Sequence, residues 1–223
     1  MTLLAIDTAT RAMGLALYNG HQVLYEGLWQ TKDFHTVELA PAIQKALRRS
    51  ATPLKKVQAI ALSIGPGSYT GLRIGLAMAK GMAFPRNLPL ISIPTLDVLA
   101  ACQPPQDLPM LAVIRAGRGR LAVAAYELSE GQWQQVREPQ LLTAEEISAA
   151  LKKPTLICGE LSKAERRLLG RKRRMAVLAS PAWSARRPSV LAELAWARFQ
   201  AGDTDAALGL APDYLQTNQA IPA

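Results

Sequence analysis

The sequence predicts an α/β fold of two lobes that share one topology, and three observations predict it. Short apolar runs that read as buried strands alternate along the chain with helix-like stretches whose apolar residues recur every three to four positions. A strand, a glycine turn and a helix follow one another directly in 59–84, AIALSIGPGSYTGLRIGLAMAKGMAF. The opening of the chain also recurs: a shift of 108 residues lays Ala5-Ile6-Asp7 on Val113-Ile114-Arg115 and Tyr18 on Tyr126. Strand, polar turn and strand in both places point to internal duplication. Gln103-Pro104-Pro105-Gln106-Asp107 reads as the linker between the copies, so lobes are expected over 1–103 and 108–223.

Leu3 to Ile6, Gly14 to Tyr18 and Gln22 to Trp29 are expected strands. Asn19-Gly20 is a strong hairpin signal between the last two, so the chain opens as an antiparallel meander. Asp33 to Ser50 reads as a helix with Leu39, Ile43 and Leu47 on one face, kinked by Pro41. Ala59 to Ile64 is a buried strand. Gly65-Pro66-Gly67 ends it, Ser68 or Thr70 caps the next helix, and Pro85 stops that helix. Leu88 to Ile93 is a further strand, and Thr95 to Cys102 a helix. In the second lobe, Thr143 with Glu146 forms a capping box opening a helix through Leu151. Thr155 to Cys158 is a strand, Ser162 to Leu169 a short helix, and Met175 to Leu178 a strand. Pro188 to Ala201 is a helix closed by Gly202, expected in the second lobe. Ala211 to Gln216 is turn-like and expected to pack back on the core.

Gly71, Gly75, Ala79 and Ala83 recur every four residues and form one small ridge along the second helix. Glycines inside a helix cost about 1 kcal/mol each relative to alanine, so the ridge implies close approach of another backbone. The loop before it is neither GxxxxGK[ST], since Leu72 follows Gly71, nor GxGxxG, since Thr70 stands at the last glycine. A helix N-terminus after a glycine turn can still hold an anion on its N–H groups; tight packing is the other reading.

Half of the 223 residues are hydrophobic (49%) but only 5% are aromatic, so the core must be aliphatic. No apolar run is long enough for a membrane span. The start, MTLLAIDTAT, lacks the basic region of a signal peptide. Cys102 and Cys158 show neither metal spacing nor a disulfide framework, which fits a reducing cytosol. Of the net charge of +9, one dense cluster stands out: Lys163, Arg166, Arg167, Arg171, Lys172, Arg173 and Arg174, opposed by Glu165. Such a patch suits RNA phosphates, or is a solvated helix face.

Asp7, Thr8 and Thr10 fall at the tip of the first hairpin. There they could hold a phosphate-bound metal, or could serve the turn itself. At the matching tip of the second lobe stands Arg115, with Arg118 and Arg120 behind. Two-lobe phosphotransfer clefts carry magnesium on carboxylates, and arginine has donors only. His35 has Leu39 one turn on and His21 as the sole other histidine, so no metal site is expected. Neither HExxH nor GxSxG is present, which speaks against a peptidase.

IDTAT, HTVELAPAI, SIGPGSYTGLRIGLAMAKGMAF and the late PDYLQ together resemble the bacterial TsaB (YeaZ) family. The match is close over the first lobe and loose over the second. The resemblance implies an actin-like, Hsp70-like sugar-kinase fold (ASKHA, ribonuclease H-like) with a reduced second lobe. It implies a cytoplasmic, non-catalytic subunit in threonylcarbamoyl-adenosine modification of tRNAs reading codons that begin with A. Its partners would be the catalytic subunit TsaD and, with it, the ATPase TsaE. Three departures from the family pattern occur: Arg115-Ala116-Gly117 replaces an Asp-Ala-Arg run, Tyr214-Leu215-Gln216 replaces YLR, and the paired metal-binding histidines of the catalytic paralogue appear as His35 and Leu39.

The partner seat is therefore expected on His35, Leu39, Ser68, Gly71, Leu72, Gly75, Met78, Ala79 and Met82, with the same surface serving a homodimer when TsaD is absent. Asp7, Thr8, Thr10, Gly65 and Gly67 form a vestigial phosphate site, and Arg171, Lys172, Arg173 and Arg174 a candidate tRNA contact. No catalytic residue, metal or cofactor is expected. The alternative is a nucleotide-binding ATPase or acyl carrier active on its own.

Overall fold

The computed structural model describes residues 1–32, 35–117 and 119–215. The expected helix start at Asp33, the arginine at 118, and the tail from Gln216 on lie outside the described residues. The chain forms two compact units: Met1–Val98 with Arg186–Pro212, and Leu99–Ala185 with the described residues 213–215.

The first unit is built on strands β1 (Thr2–Asp7), β2 (Ala12–Tyr18), β3 (Val23–Gln30), β4 (Val57–Gly65) and β5 (Leu90–Pro94), in the spatial order β3-β2-β1-β4-β5. β3-β2-β1 is the antiparallel meander; β4 and β5 join parallel. The period of two in β1 divides its side chains between two cores. Leu4 and Ile6 meet helices α1 (His35–Arg49) and α2 (Tyr69–Ala83), through Leu39, Ile43, Leu76 and Ala79. Leu3 and Ala5 turn to the other face, where Ala16, Ala59 and Ala61 leave room for Leu191, Ala192 and Ala195. The last three belong to the final helix of the chain, Pro188–Gln200.

That helix packs on the first sheet, whereas the sequence pattern placed it in the second lobe. Its partners lie about 130 to 190 residues earlier in the chain, beyond the reach of a local pattern. The chain behind it stays with the first sheet: Asp205 pairs with Leu90, and Ala207 and Leu210 pack on the first core.

The second unit repeats the plan with β6 (Met110–Arg115), β7 (Leu121–Ser129), β8 (Gln132–Leu142), β9 (Thr155–Gly159) and β10 (Ala176–Leu178). Its sheet runs β10-β9-β6-β7-β8. Numbered within each unit, both sheets read 3-2-1-4-5, so the duplication seen in the sequence is a duplication of topology. This is the two-unit α/β architecture expected. The second copy is reduced: after α3 (Thr95–Ala101), its helices α4 (Ala144–Ala150) and α5 (Lys163–Leu169) have 7 residues each, against 15 each in α1 and α2. Both halves of the Thr143–Glu146 capping box are made, and Ser162 with Glu165 caps α5 the same way. The final helix is α6. Among the described residues no helix is long and apolar enough to cross a membrane.

Candidate functional site

Asp7 is the last residue of β1 and Arg115 the last of β6, so the two aligned positions end equivalent strands. Their surroundings differ. Arg115 is half exposed and pairs with Glu165 at 3.2 Å. Asp7 is sealed and faces the α6 side of its sheet, as Leu3 and Ala5 do.

Both oxygens of the Asp7 carboxylate are engaged. Oδ1 accepts the backbone N–H of Ala9 at 2.9 Å, closing an Asx turn. Oδ2 accepts Nε–H of Arg186 at 2.8 Å, and each of these two side chains is only 1% exposed. The Arg186 guanidinium continues across the hairpin tip, donating to Thr10 Oγ1 at 2.8 Å and to the Ala12 carbonyl at 3.2 Å. A buried arginine needs such complete pairing, because an unpaired buried charge costs far more than a missing surface hydrogen bond.

Arg186 is held there by the start of α6. Arg187 is the residue before the first turn, and a helix N-terminus disfavours cations. The compensation is Glu26 on β3: it accepts from Arg187 Nη2 at 2.8 Å, and from the Ser189 N–H at 3.1 Å and hydroxyl at 2.5 Å. Burial opposes the charge on Glu26, but these hydrogen bonds hold its carboxyl below the usual carboxylate range.

The other side of the tip lies on α2, and here the glycine ridge finds its purpose. A Cβ on Gly71 would stand 2.2 Å from the Thr8 carbonyl oxygen, one on Gly75 2.2 Å from Thr8 Oγ1, and one on Gly67 2.4 Å from the Ala9 oxygen. The loop 8–10 thus lies against bare helix backbone. The Ser68 N–H donates to Ala9 O at 2.6 Å, Ser68 Oγ accepts from the Gly71 N–H, and His35 Nε2 lies 3.1 Å from Thr10 O. A carbonyl only accepts, so His35 carries its proton on Nε2.

These contacts bear on the expected partner seat. His35, Leu39, Gly71, Leu72, Gly75 and Ala79 are buried within the unit, Ser68 is a helix cap, and Met78 and Met82 are half-buried against the first core. The ridge is internal packing rather than a bare docking surface. The exposed residues of the same two helices are others: Val37 (68% exposed), Ala40 and Pro41 on α1, and Tyr69, Arg73, Ala77 and Gly81 on α2, with Phe84 just beyond at 82%. Arg73 stacks over the Tyr69 ring, 4.8 Å from its centroid, and hydrogen-bonds its hydroxyl.

The expected phosphate site is built over in the same way. Asp7 and Thr10 serve Arg186, Thr8 packs on Gly75, and the Ser68 and Gly71 N–H groups at the N-terminus of α2 are taken within the chain. These residues do not fit the magnesium–phosphate complex that the sequence suggested, since a guanidinium occupies the carboxylate such an ion would need. Gly65 and Gly67 flank Pro66, whose bond to Gly65 is cis. Among the described residues no group of three or more His, Cys, Asp or Glu side chains could hold a metal. The two histidines are apart in role: His35 is used by Thr10, and His21 is exposed on the β2–β3 turn.

Sequence reasoning missed Arg186, Arg187 and Glu26. One signal was available: two arginines directly before Pro188 at a helix start demand nearby carboxylates, and the first lobe has few.

The family model described as TsaD, tRNA N6-adenosine threonylcarbamoyltransferase, matches residues 30–223. The chain is 31% identical to the tRNA threonylcarbamoyladenosine biosynthesis protein TsaB of Bacillus subtilis, covering 99% of this chain and 96% of that protein. It is 38% identical to the protein of the same name from Escherichia coli over 136 aligned residues, 60% of this chain and 58% of that one. Among solved structures, YeaZ from Pseudomonas aeruginosa superposes with a TM-score of 0.77 at 25% identity, covering 96% of this chain and 99% of that chain. A second solved chain, described as an uncharacterized protein with similarity to peptidase YeaZ from the same organism, gives 0.78 at 25% identity, with the same coverage.

Proposed function

The chain belongs to the bacterial TsaB (YeaZ) family, and on that premise we propose that it is a non-catalytic subunit for threonylcarbamoyl-adenosine modification of tRNAs reading codons that begin with A. It binds and supports TsaD in the cytoplasm and, with TsaD, engages TsaE. One observation carries the non-catalytic part of this reading: Arg186 neutralises Asp7 inside the protein, leaving no carboxylate there to carry a metal and its phosphates.

The partner seat is the exposed stripe of α1 and α2: Val37, Ala40, Pro41, Ala77, Gly81 and Phe84. It is small-residue and apolar, interrupted by Arg73, and soluble proteins rarely leave such a face uncovered without a use. The same stripe pairs two copies of the chain when TsaD is absent. Support for TsaD as partner comes from the family and from the family model the chain matches.

The test is reconstitution. Purified TsaD and TsaE with tRNA, ATP, threonine and bicarbonate (and the enzyme that makes the activated carbamoyl donor) are assayed with and without this chain. Modified nucleoside is expected only when the chain is present, and none from the chain without TsaD. Undiminished modification in its absence refutes the reading.

A further inference from the structure

We propose that α5, the 3₁₀ turn after it (Gly170–Lys172) and the two arginines that follow form an RNA-backbone binding surface, built from Lys163, Arg167, Arg171, Arg173 and Arg174. The inference rests on the tRNA-modification reading above and adds to it a contact made by this chain's own second unit.

Four observations favour a phosphate ligand over a merely solvated face. First, charge is segregated. Residues 163–174 carry seven cations against one acid, a local charge of +6 out of the chain's +9, and no Asp or Glu occurs from 166 to 185. Second, the single acid is spent: Glu165 Oε2 accepts from Arg115 at 3.2 Å and from the Ser162 N–H at 2.5 Å, so it offsets nothing on the outer face. Third, two members of the cluster fix its shape. Arg166 donates to Ala179 O at 2.8 Å, tying α5 to the residue after β10, and Lys172 Nζ donates to Ser148 O at 2.6 Å, tying the turn to α4. The five remaining cations are exposed and have no hydrogen-bond or ion-pair partner among the described residues.

Fourth, the choice of cation matters. Four of those five are arginines, whose planar fork matches phosphate oxygens, where a purely solubilising surface would be served as well by lysine. Like charges crowded on a fixed turn repel one another, and a polyanion removes that repulsion. Such contacts position RNA without reading its sequence.

The experiment measures fluorescence anisotropy of a labelled, unmodified tRNA transcript titrated with the full chain, alone and as its complex with TsaD, from 50 to 300 mM salt. Arg171→Glu/Arg173→Glu/Arg174→Glu and its neutral counterpart with Gln at all three positions are compared with Arg48→Glu/Arg49→Glu at the end of α1. The cluster variants are expected to weaken binding at least about tenfold and to reduce the salt slope by about 0.7–0.9 for each phosphate no longer neutralised, the control to change it less than about threefold. All positions are exposed, and unchanged thermal midpoints certify folding. Affinity within twofold of wild type in both cluster variants overturns the proposal. So does an equal loss in the α1 control, which would mark the effect as net charge alone. Equal loss of binding to phosphatidylserine vesicles with tRNA binding unchanged would assign the surface to membranes instead. Light-scattering mass of the TsaD complex is read in parallel: failure to assemble refutes the subunit reading, whereas the titration of the chain alone decides this one.

Discussion

Asp7 and Arg186, separated by 179 residues in sequence, form a sealed ion pair with a 2.8 Å contact. The carboxylate that ends β1, at the position where the sequence suggested a metal-phosphate site, has its cation supplied by the protein. The same guanidinium holds Thr10 and Ala12, so one arginine ties the first hairpin to the entry of α6.

Removing Arg186 strands a buried carboxylate. Arg186→Met is expected to lower unfolding free energy by about 3–5 kcal/mol. The double variant Asp7→Leu/Arg186→Met should recover most of that loss, since an apolar pair replaces the ionic one. Urea unfolding of the two singles and the double gives the coupling; purely additive losses would mean that the pair does not act as a unit.

The glycines of α2 divide into two kinds. Gly75→Ala drives a methyl toward Thr8 Oγ1, 2.2 Å from the ideal Cβ, and is expected to destabilise by about 1–3 kcal/mol, with rescue by Thr8→Ala. Gly81 has nothing within 4 Å of its Cβ position, so Gly81→Ala should stabilise by up to about 1 kcal/mol. The sequence pattern alone implies that a larger residue at Gly75 weakens TsaD binding far more than stability. With the ridge internal, melting temperature falls first.

The proposed partner seat is the outer face of α1 and α2. Val37→Asp with Ala77→Asp should reduce TsaD binding more than about tenfold while shifting the thermal midpoint by less than about 2 °C, because surface changes away from packed features are nearly neutral. Pull-down or calorimetry with TsaD, beside a melting curve, checks both halves.

Among the described residues, three carboxylates titrate low. Glu26 is opposed by burial but held down by Arg187 and Ser189; Glu38 is held by Trp29 and Thr31; Asp203 is held by Arg198. A folded-state pKa below the unfolded one gives stability that is present above the unfolded value and lost as pH falls through the folded value. Unfolding free energy should therefore hold steady above about pH 5 and drop below the ordinary glutamate value of 4.5. Glu26→Gln should flatten that acid limb, as measured by urea midpoints from pH 3 to 7.

Much of this fold was legible because it is written locally. Short apolar runs marked β1, β2 and β4, Ser68 and Thr143 announced their helices, and the offset between Asp7 and Arg115 revealed the duplication. β8 was missed because its run, Gln132 to Leu142, is largely polar and exposed and gives no core-facing period. The ridge of α2 was read, but a spacing of four shows only that something lies close, not whether it belongs to the same chain; the answer, Thr8 and Ala9, sits some 60 residues earlier. Arg186 was invisible for the same reason: its meaning depends on α6 crossing back to the first sheet.

On the proposed reading, Arg186 stands in for the cation at Asp7 and the chain acts by binding its partners. Isothermal calorimetry of the purified chain against ATP with magnesium decides between this and a working nucleotide site. No saturable heat is expected at nucleotide concentrations up to about a millimolar, the range that separates weak from specific binding. Micromolar, magnesium-dependent binding that is lost in Asp7→Asn would contradict it.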